Sequence, residues 1–405
     1  MALPQPPAPA TPTPSTGAAP SGTRPAGNEP LDLTKLGLTV EEQNAAFALL
    51  QLLDSDDSTE VIMNGPDETM QKVGGQRFHM PAVTFSNPDT YHKVLNTVLL
   101  RYVDTTDTID GATPLVEGQM TLPSGRPGVP PMIGRVTLLA PPLVPVAKVT
   151  VAKKARYDLD LDGLTASGSM SPAMAEFLKA AAHARLTCVI SGPTGAGKTT
   201  LLQAMARNYD PNERIVVIED TPELRLPLAD VVYLQSTDTK PGMKPEDRVT
   251  IEWLVKVANR MRTDRILVGE CRGPEIGEWL IAANSGADGS ATTIHADNPR
   301  RALDKVMALA TKSQRAASES TLRREIASTV DLVIQLSLID GRHFVTHIEE
   351  IDRTVRHDGV MVTTTLFAYD RNRGVHEAKG QPSDGLQDLL RSRGVPVNMA
   401  WFRNR

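Results

Sequence analysis

The spacing of hydrophobic positions changes along the chain, and each spacing predicts a type of element. Apolar residues recur at helical spacing over residues 41–53 and roughly over 88–102, which predicts two amphipathic helices. A short apolar run at 60–63 ends at Asn64-Gly65-Pro66, which predicts a strand followed by a turn. The Pro- and Gly-dense segment 122–145 predicts a series of short strands and turns. The pattern therefore predicts a mixed α/β region in the first part of the chain.

A more regular pattern runs from about residue 170 to 351, where short apolar strands alternate with helical stretches. Strands are predicted at residues 187–191, 214–219, 265–269, 291–294 and 332–338. Helices are predicted at residues 197–208, 251–261, 275–284, 299–311 and 321–328. This alternation predicts an α/β fold with a mainly parallel sheet and helices on both faces. Beyond it, we expect a smaller C-terminal appendage with a strand near 360–369 and a helix near 386–393.

Composition divides the 405 residues into three predicted parts. Residues 1–30 contain nine prolines, six alanines and no aromatic residue, so they bury too little apolar surface to fold and are predicted to be a disordered tail. Residues 31–160 are predicted to form a smaller N-terminal α/β domain with a linker. Residues 161–405 are predicted to form the main α/β domain with its small appendage.

Charge and cysteine content narrow the class of protein. The net charge of -5 gives no global basic field, so a nucleic acid is an unlikely main partner. Two cysteines give no disulfide framework, and the N-terminus lacks the pattern of a signal peptide. The most apolar stretch, 136–152, is interrupted by three prolines and Lys148, so it does not predict a membrane span. We therefore expect a cytoplasmic protein without direct membrane insertion.

One segment matches the phosphate-binding loop pattern G-x-x-x-x-G-K-[ST], and it lies between a predicted strand and a predicted helix. Backbone amides of such a loop surround phosphate oxygens, and the positive end of the helix dipole faces them. Lys198 is expected to reach the β- and γ-phosphates, and the Thr199 hydroxyl to ligate Mg²⁺. The candidate ATP-binding residues are Gly192, Pro193, Thr194, Gly195, Ala196, Gly197, Lys198, Thr199 and Thr200.

Carboxylates follow two of the predicted strands. Glu270 ends an apolar strand, which suits a residue that holds Mg²⁺ or polarises water, although strand-end acids are also often only solvated. Glu219, Asp220 and Glu223 lie within five residues after another strand. Their mutual repulsion would be offset by the cation of a bound Mg·ATP, and the alternative is a polar loop with a helix cap at Thr221.

His295 and several arginines complete the candidate chemistry. His295 ends another predicted strand, where a neutral imidazole could sense a γ-phosphate or orient water, although a lone strand-end histidine is often structural. Arg265 precedes the Glu270 strand and Arg272 follows it. Their planar guanidinium groups suit phosphate charge and subunit interfaces, while a solvated basic face is the alternative for each.

These motifs, in this order, resemble the type II/type IV secretion and type IV pilus ATPase superfamily, and most closely its tight-adherence (Flp) pilus branch, which is CpaF-like. The resemblance covers about residues 59–351. Its boxes are residues 59–66, Leu122-Pro123-Ser124-Gly125-Arg126, the phosphate loop, the acidic box 219–223, the stretch 260–273 and the box around His295.

The resemblance implies a RecA-like P-loop core preceded by an N-terminal domain, and an Mg-dependent ATPase that forms a homo-oligomer, typically a hexamer. It implies a motor that powers pilus assembly or secretion by pushing an inner-membrane platform protein from the cytoplasmic side. It assigns Glu219 as the base for water with Glu223 in support, and it assigns catalytic roles to Glu270 and His295. Arg126 is the candidate arginine that completes the ATP site from the N-terminal domain.

The chain departs from the family pattern at three places. The usual Ile-Arg-Lys before the core appears as Val151-Ala152-Lys153, so that Lys153 or Lys154 replaces an arginine or the arginine is missing. The usual Gly-His is Gly286-Ala287, and the usual Pro is Thr263. Besides the secretion or pilus motor, three hypotheses for the function stay open. They are a conjugation-type transfer ATPase, a nucleotide-gated structural subunit with little turnover, and a small-molecule kinase, for which no acceptor-binding segment is visible.

Overall fold

The computed structural model describes residues 32–73, 76–105, 108–109, 113–127, 129–154, 159–237, 244, 247–313 and 317–403. The tail predicted at residues 1–30 lies outside the described residues. The strands of the described part are β1 (Glu60–Met63), β2 (Thr69–Val73), β3 (Gln76–His79), β4 (Leu115–Leu122), β5 (Met132–Leu139), β6 (Lys148–Lys153), β7 (Cys188–Ser191), β8 (Ile215–Glu219), β9 (Val231–Gln235), β10 (Arg265–Val268), β11 (Ala291–Ile294), β12 (Leu332–Ile339), β13 (Arg342–Val355), β14 (Met361–Asp370) and β15 (Val375–Ala378).

Most of the described helices begin after a residue whose side chain caps the helix. They are α1 (Val40–Asp54), α2 (Pro88–Thr97), α3 (Leu161–Ala166), α4 (Pro172–His183), α5 (Lys198–Ala206), α6 (Ile251–Ala258), α7 (Glu275–Asn284), α8 (Pro299–Ala310), α9 (Glu319–Thr329) and α10 (Asp384–Ser392). Short 3-10 helices lie at Leu33–Leu36, Leu99–Tyr102 and Met399–Phe402. In α8, for example, the Asn298 side chain accepts the amide hydrogen of Arg301, and Pro299 occupies the first helical position. No helix within the described ranges is both long and apolar enough to cross a bilayer.

The larger sheet has nine strands in the order β15-β14-β13-β12-β7-β11-β10-β8-β9. The six strands from β12 to β9 pair in parallel. Four of them, β7, β8, β10 and β11, are buried along their whole length, as expected for parallel strands covered on both faces. Their apolar runs explain why the sequence pattern predicts them, and all five strands predicted between residues 187 and 338 are confirmed.

The C-terminal strands continue this sheet. β13 pairs antiparallel with β12, and β14 and β15 follow in the same manner. The residues expected to form a small appendage of the main domain therefore add strands to its sheet. Several observed elements were not predicted, among them α3, α4, β9, β13 and β15. The remaining predicted helices are present, and the one predicted at 88–102 is divided into α2 and the 3-10 helix Leu99–Tyr102.

The second sheet has six strands in the order β3-β2-β1-β6-β5-β4. Buried and partly exposed positions alternate along β5, the pattern of an antiparallel strand with one covered face. By contact density the described chain divides into two compact units. One holds the residues up to 55 with 63–69 and 81–151, and the other holds 56–62, 70–80 and 152–403.

Candidate active site

Four neighbouring parallel strands end in the residues that the sequence analysis selected. The phosphate loop follows β7, Glu219 ends β8, Glu270 follows β10, and His295 follows β11. These strands lie side by side in the order β7-β11-β10-β8, so their carboxyl ends share one edge of the sheet. Open parallel sheets bind ligands at this edge. The fold therefore brings the predicted loop, acids and histidine together.

Lys198 lies at the centre of the group, at the first position of α5. The preceding residue, Gly197, has a φ of 92°, a left-handed conformation that glycine adopts without strain. Lys198 Nζ donates to Gly192 O at 3.0 Å and Pro193 O at 3.1 Å. Burial lowers the pKa of Lys198 to about 8, although the carboxylates of Glu270 and Glu223 oppose this. The ammonium is therefore held inside the loop by two backbone carbonyls.

His295 lies between Lys198 and Glu270. Its Nδ1 is 3.2 Å from Lys198 Nζ, and its Nε2 is 2.8 Å from Glu270 Oε1. Burial and the Lys198 charge lower the pKa of His295, while Glu270 opposes the shift. The imidazole is therefore neutral at neutral pH. Because an ammonium can only donate, Nδ1 accepts from Lys198 and the ring hydrogen lies on Nε2, close to the Glu270 carboxylate.

Arg272 binds two of the carboxylates. Its Nη2 lies 2.7 Å from Glu270 Oε2, and its Nη1 lies 3.1 Å from Asp220 Oδ2. Burial alone would raise the pKa of Glu270, but the hydrogen bond and charge of Arg272, together with His295 and Lys198, lower it. Glu270 is therefore an ionised carboxylate. The structure brings Arg272 to the site, as the sequence analysis expected of it.

Glu219 is the most deeply buried carboxylate of the site, with 5% of its surface exposed. Its oxygens accept the amide hydrogens of Glu223 and Leu224 at 3.0–3.3 Å. Burial raises its pKa to about 7, although these two amide donors oppose the shift. A carboxylate that titrates near neutral pH in a fixed orientation has the properties of a general base.

Thr199, at the second position of α5, contacts Glu223 of the acidic box. Thr199 Oγ1 donates to Glu223 Oε2 at 3.3 Å. Glu270 Oε1 is buried and receives no aligned hydrogen bond within the described part of the chain, although His295 Nε2 is close. The described residues form no group of three or more His, Cys, Asp or Glu that would hold a metal by itself. A hydroxyl and a carboxylate oxygen of this kind are ligands that Mg²⁺ accepts together with phosphate and water oxygens.

An open pocket of about 610 Å³ lies beside the loop. It is lined by Pro193, Thr194, His295, Ala296, Asp297, Arg301, Asp304 and Lys305. Pro193, Thr194 and Gly195 are exposed, whereas Gly192, Ala196 and Lys198 are buried. Thr200 follows Thr199 in the first turn of α5 and is partly buried. The loop thus presents one flank to a cavity that reaches the start of α8.

The structure places Arg265 away from the candidate nucleotide site, which corrects the expectation from the sequence. It begins β10, so it lies at the amino end of the strand whose carboxyl end leads to Glu270. Its Nε donates to Glu213 Oε2 at 2.6 Å, its Nη2 donates to Ala182 O at 2.8 Å, and its guanidinium lies 3.9 Å from the Tyr209 ring centroid. Arg265 is wholly buried and structural.

Arg126 belongs to the other compact unit. There its Nη2 donates to Asp54 O at 3.0 Å. Its expected role at the ATP site stays a prediction. Of the two lysines that follow Ala152, Lys154 donates from Nζ to Pro222 O, inside the acidic box, whereas Lys153 donates to Ser58 Oγ at 2.8 Å. Lys154 is therefore the lysine associated with the acidic box.

Two residues that the sequence analysis did not select also contact the site. Lys305 Nζ donates to His295 O at 3.0 Å, and Gln335 Nε2 donates to Ala296 O at 3.1 Å. The signal for Gln335 is its position as the one amide in the apolar run of residues 332–336. Lys305 carries no comparable signal, because it is one of several charged residues on an amphipathic helix.

The raised pKa of Glu219 predicts a pH-dependent difference in stability. Glu219 binds its proton more tightly in the folded chain than in the unfolded chain. The stability that this preference contributes is complete below the ordinary pKa of 4.5, and it is lost as pH rises through about 7. Gln does not titrate, so Glu219→Gln should raise the free energy of unfolding by about 2 kcal/mol more at about pH 8 than at about pH 5. Urea unfolding at the two pH values measures this difference.

The control for that measurement is Glu41→Gln, because Glu41 is an exposed carboxylate on α1. We expect this exposed substitution to change the free energy of unfolding by less than about 0.5 kcal/mol. An effect of Glu219→Gln that does not differ between the two pH values would contradict the raised pKa.

The sequence of this chain is similar to those of known proteins. The model of the type II/IV secretion system protein family matches residues 134–389. A putative conjugal transfer protein of Mycobacterium tuberculosis is 30% identical over 362 residues, which cover 89% of this chain and 97% of that protein. The VirB11 protein of Agrobacterium fabrum is 38% identical over 160 residues, which cover 39% of this chain and 46% of that protein.

A solved structure shows the same fold at low identity. The ATPase DotB of Yersinia pseudotuberculosis matches with a TM-score of 0.57 at 16% identity, covering 88% of this chain and 83% of that chain. The predicted fold class is thereby confirmed: a RecA-like α/β core preceded by an N-terminal domain. The motifs also predict the superfamily correctly, while the tight-adherence branch stays a prediction. Because the family model spans more than half of the sequence and a full-length relative agrees, this chain belongs to the type II/IV secretion system protein family.

Proposed function

We propose that this chain is an Mg-dependent ATPase and the motor subunit of a secretion or pilus-assembly machine. One observation supports the proposal above all others. Lys198 of the phosphate loop, His295 and Glu270 form a continuous chain of contacts at the carboxyl edge of the parallel sheet, at 3.2 Å and 2.8 Å. A phosphate loop alone only predicts nucleotide binding. An ionised acid and a neutral histidine beside it add the groups that hydrolysis requires.

In the proposed reaction the amides of the loop bind the phosphate chain, and the Lys198 ammonium exchanges its carbonyl partners for phosphate oxygens. Mg²⁺, when bound, would neutralise charge on the β- and γ-phosphate oxygens, with the Thr199 hydroxyl and Glu270 as the residues that hold it. Glu219 takes the proton of the attacking water onto its carboxylate, while the water oxygen bonds to the γ-phosphorus and the bond from that phosphorus to the leaving oxygen of ADP breaks. The amides of Glu223 and Leu224 keep the Glu219 carboxylate oriented.

His295 and Arg272 have electrostatic roles in this proposal. The Nε2–H of His295 and the guanidinium of Arg272 both approach the carboxylate of Glu270, so they fix its orientation. Arg272 is half exposed, with 54% of its side chain accessible, and therefore has room to turn toward phosphate charge. Glu223 supports the site by holding the Thr199 hydroxyl.

We further propose that the chain acts as a homo-oligomer, with a hexamer as the expected form. Arg126 would complete the ATP site of this assembly from the N-terminal domain. An inner-membrane platform protein would receive the motion, so the protein would be cytoplasmic and peripheral to the membrane. These proposals rest on the family resemblance.

A conjugation-type transfer ATPase is the second candidate. It is favoured by the putative conjugal transfer protein of Mycobacterium tuberculosis, which matches 89% of this chain. The two candidates share the ATPase site and differ in the partner that receives the motion. The third candidate, a nucleotide-gated structural subunit, predicts tight nucleotide binding with almost no turnover, so it is separated by a rate measurement.

The test combines steady-state ATP hydrolysis with sizing in solution, in the presence of Mg·ATP. We expect turnover in the wild type at protein concentrations where a ring-sized oligomer forms, because interface sites require neighbours. Glu270→Gln keeps the size of the side chain but removes its charge, and we expect it to lower kcat by about a hundredfold or more. The exposed Glu41→Gln is the matched control. Tight ATP binding without turnover in the wild type would favour the nucleotide-gated subunit instead.

A further inference from the structure

Two side chains hold the backbone on which His295 is placed. Lys305 Nζ donates to the carbonyl of His295 itself at 3.0 Å, and Gln335 Nε2 donates to the next carbonyl, that of Ala296, at 3.1 Å. Both carbonyls lie beyond the end of β11, where the strand has left the ladder. The two donors come from different elements, α8 and β12. They therefore fix two consecutive peptide groups from two directions.

Gln335 also binds the strand that leads to the phosphate loop. It lies opposite Ser191 in the parallel ladder between β12 and β7, and its Oε1 accepts from Ser191 Oγ. Its Nε2 donates a further hydrogen bond to Leu336 O at 3.0 Å. Only 1% of Gln335 is exposed. A buried amide with all these partners satisfied is rigid, so the last residue before the loop and the residue after His295 are tied to one side chain.

The backbone of β12 reinforces this connection. The ladder between β12 and β13 shifts its register between Gln335 and Leu336. Bulges of this kind re-aim nearby groups and are frequent next to active sites. Here Leu336 O lies 2.7 Å from the point that a Cβ on Gly192 would occupy, so a side chain at the first loop position would clash. The strand therefore packs directly on the start of the phosphate loop.

The ring of His295 tolerates little movement. Its two nitrogens contact Lys198 and Glu270 at the same time, at 3.2 Å and 2.8 Å. A backbone shift of about 1 Å would lengthen one contact or both, and misplacements of that size can lower rates by about a hundredfold. The geometry at the ring thus requires a fixed backbone at residues 295–296.

We propose that Lys305 and Gln335 are positioning residues that clamp the backbone of His295, so that its imidazole stays between Lys198 and Glu270 during turnover. The clamp rests on the proposed ATPase function. Lys305 is the better residue to test, because it is partly exposed at the pocket whereas Gln335 is in the core. Acting through His295, neither residue needs to touch ATP.

The test measures kcat and KM for Mg·ATP in the full chain. We expect Lys305→Met to lower kcat about tenfold and to change KM less than about twofold, because the loop that binds phosphate is unaltered. Lys305→Arg keeps a donor and should restore most of the kcat. Lys312→Met is the matched control, since Lys312 is exposed two residues beyond α8, and it should behave as the wild type.

A double-mutant cycle separates positioning from general stabilisation. If Lys305 acts through His295, Lys305→Met should have almost no further effect on kcat in a His295→Ala background. Gln335→Met should show the same dependence on His295. Full additivity, or a lowered unfolding temperature with unchanged kcat, would overturn the clamp while the ATPase proposal stands. Absence of turnover in the wild type would instead overturn the ATPase proposal, and the clamp with it.

Discussion

Lys198→Ala is expected to lower ATP turnover by about a thousandfold or more, the largest effect on activity that the site predicts. Lys198 Nζ contacts two carbonyl oxygens of the loop and His295 Nδ1, at 3.0–3.2 Å. Alanine removes the ammonium group that we propose binds phosphate. It also leaves His295 without the charge that fixes its tautomer, so two functions are lost together.

The measurement is steady-state hydrolysis of Mg·ATP beside direct binding of a fluorescent ATP analogue. Lys256→Ala is the matched control, because Lys256 lies on α6 with 45% of its side chain exposed. Circular dichroism and the unfolding temperature establish that both variants fold. Near wild-type kcat in a folded Lys198→Ala variant would refute the assignment of the phosphate loop. Loss of turnover with retained binding of the analogue would show that Lys198 contributes more to the rate of hydrolysis than to the affinity for ATP.

The site residues that directly follow an apolar strand could be predicted from the sequence. The apolar runs before Gly192, Glu270 and His295 are buried parallel strands, and parallel strands bring their carboxyl ends to one edge whatever their order in the sheet. The local sequence pattern was therefore enough to predict that these residues share one edge of the sheet. It did not predict the order of the strands or the contact distances, because both depend on packing between segments far apart in sequence.

Arg265 shows why proximity in sequence misleads within a strand. It is five residues before Glu270, and a strand rises about 3.3 Å per residue, so the two backbones are separated by about 16 Å. The side chains therefore serve opposite edges of one sheet. The predicted strand 265–269 already begins at Arg265, as β10 does, so strand geometry applied to the sequence alone would have separated the two residues.

A long-range contact explains why Gln335 was not predicted. Gln335 reaches Ala296 across 39 residues, a separation that no local period encodes. The C-terminal strands did have a local signal. Asp340 and Gly341 both have positive φ, 49° and 76°, and an Asp-Gly pair between apolar runs is a strong predictor of a hairpin. That turn joins β12 to β13 and carries the chain into the core sheet.

Arg265→Met is expected to destabilise the core unit by about 3 kcal/mol or more, the largest stability effect predicted for a single side chain here. Arg265 and Glu213 form a buried pair with side chains 1% and 9% exposed, joined at 2.6 Å and 3.0 Å. Methionine has a similar length but no charge and no donor. The variant leaves a buried carboxylate with less compensation, and it removes the hydrogen bond to Ala182 O.

Urea unfolding measures the loss, and three further variants show its cause. Arg265→Lys keeps the charge without the two-pronged geometry and should lie between wild type and Met. Adding Glu213→Gln to Arg265→Met should recover part of the stability, because it removes the carboxylate left behind. Arg300→Met is the control, since Arg300 is exposed on α8, and it should change stability by less than about 0.5 kcal/mol. An unchanged urea midpoint for Arg265→Met together with a lost kcat would contradict the structural role, because a residue that only supports the sheet cannot abolish turnover without weakening the fold.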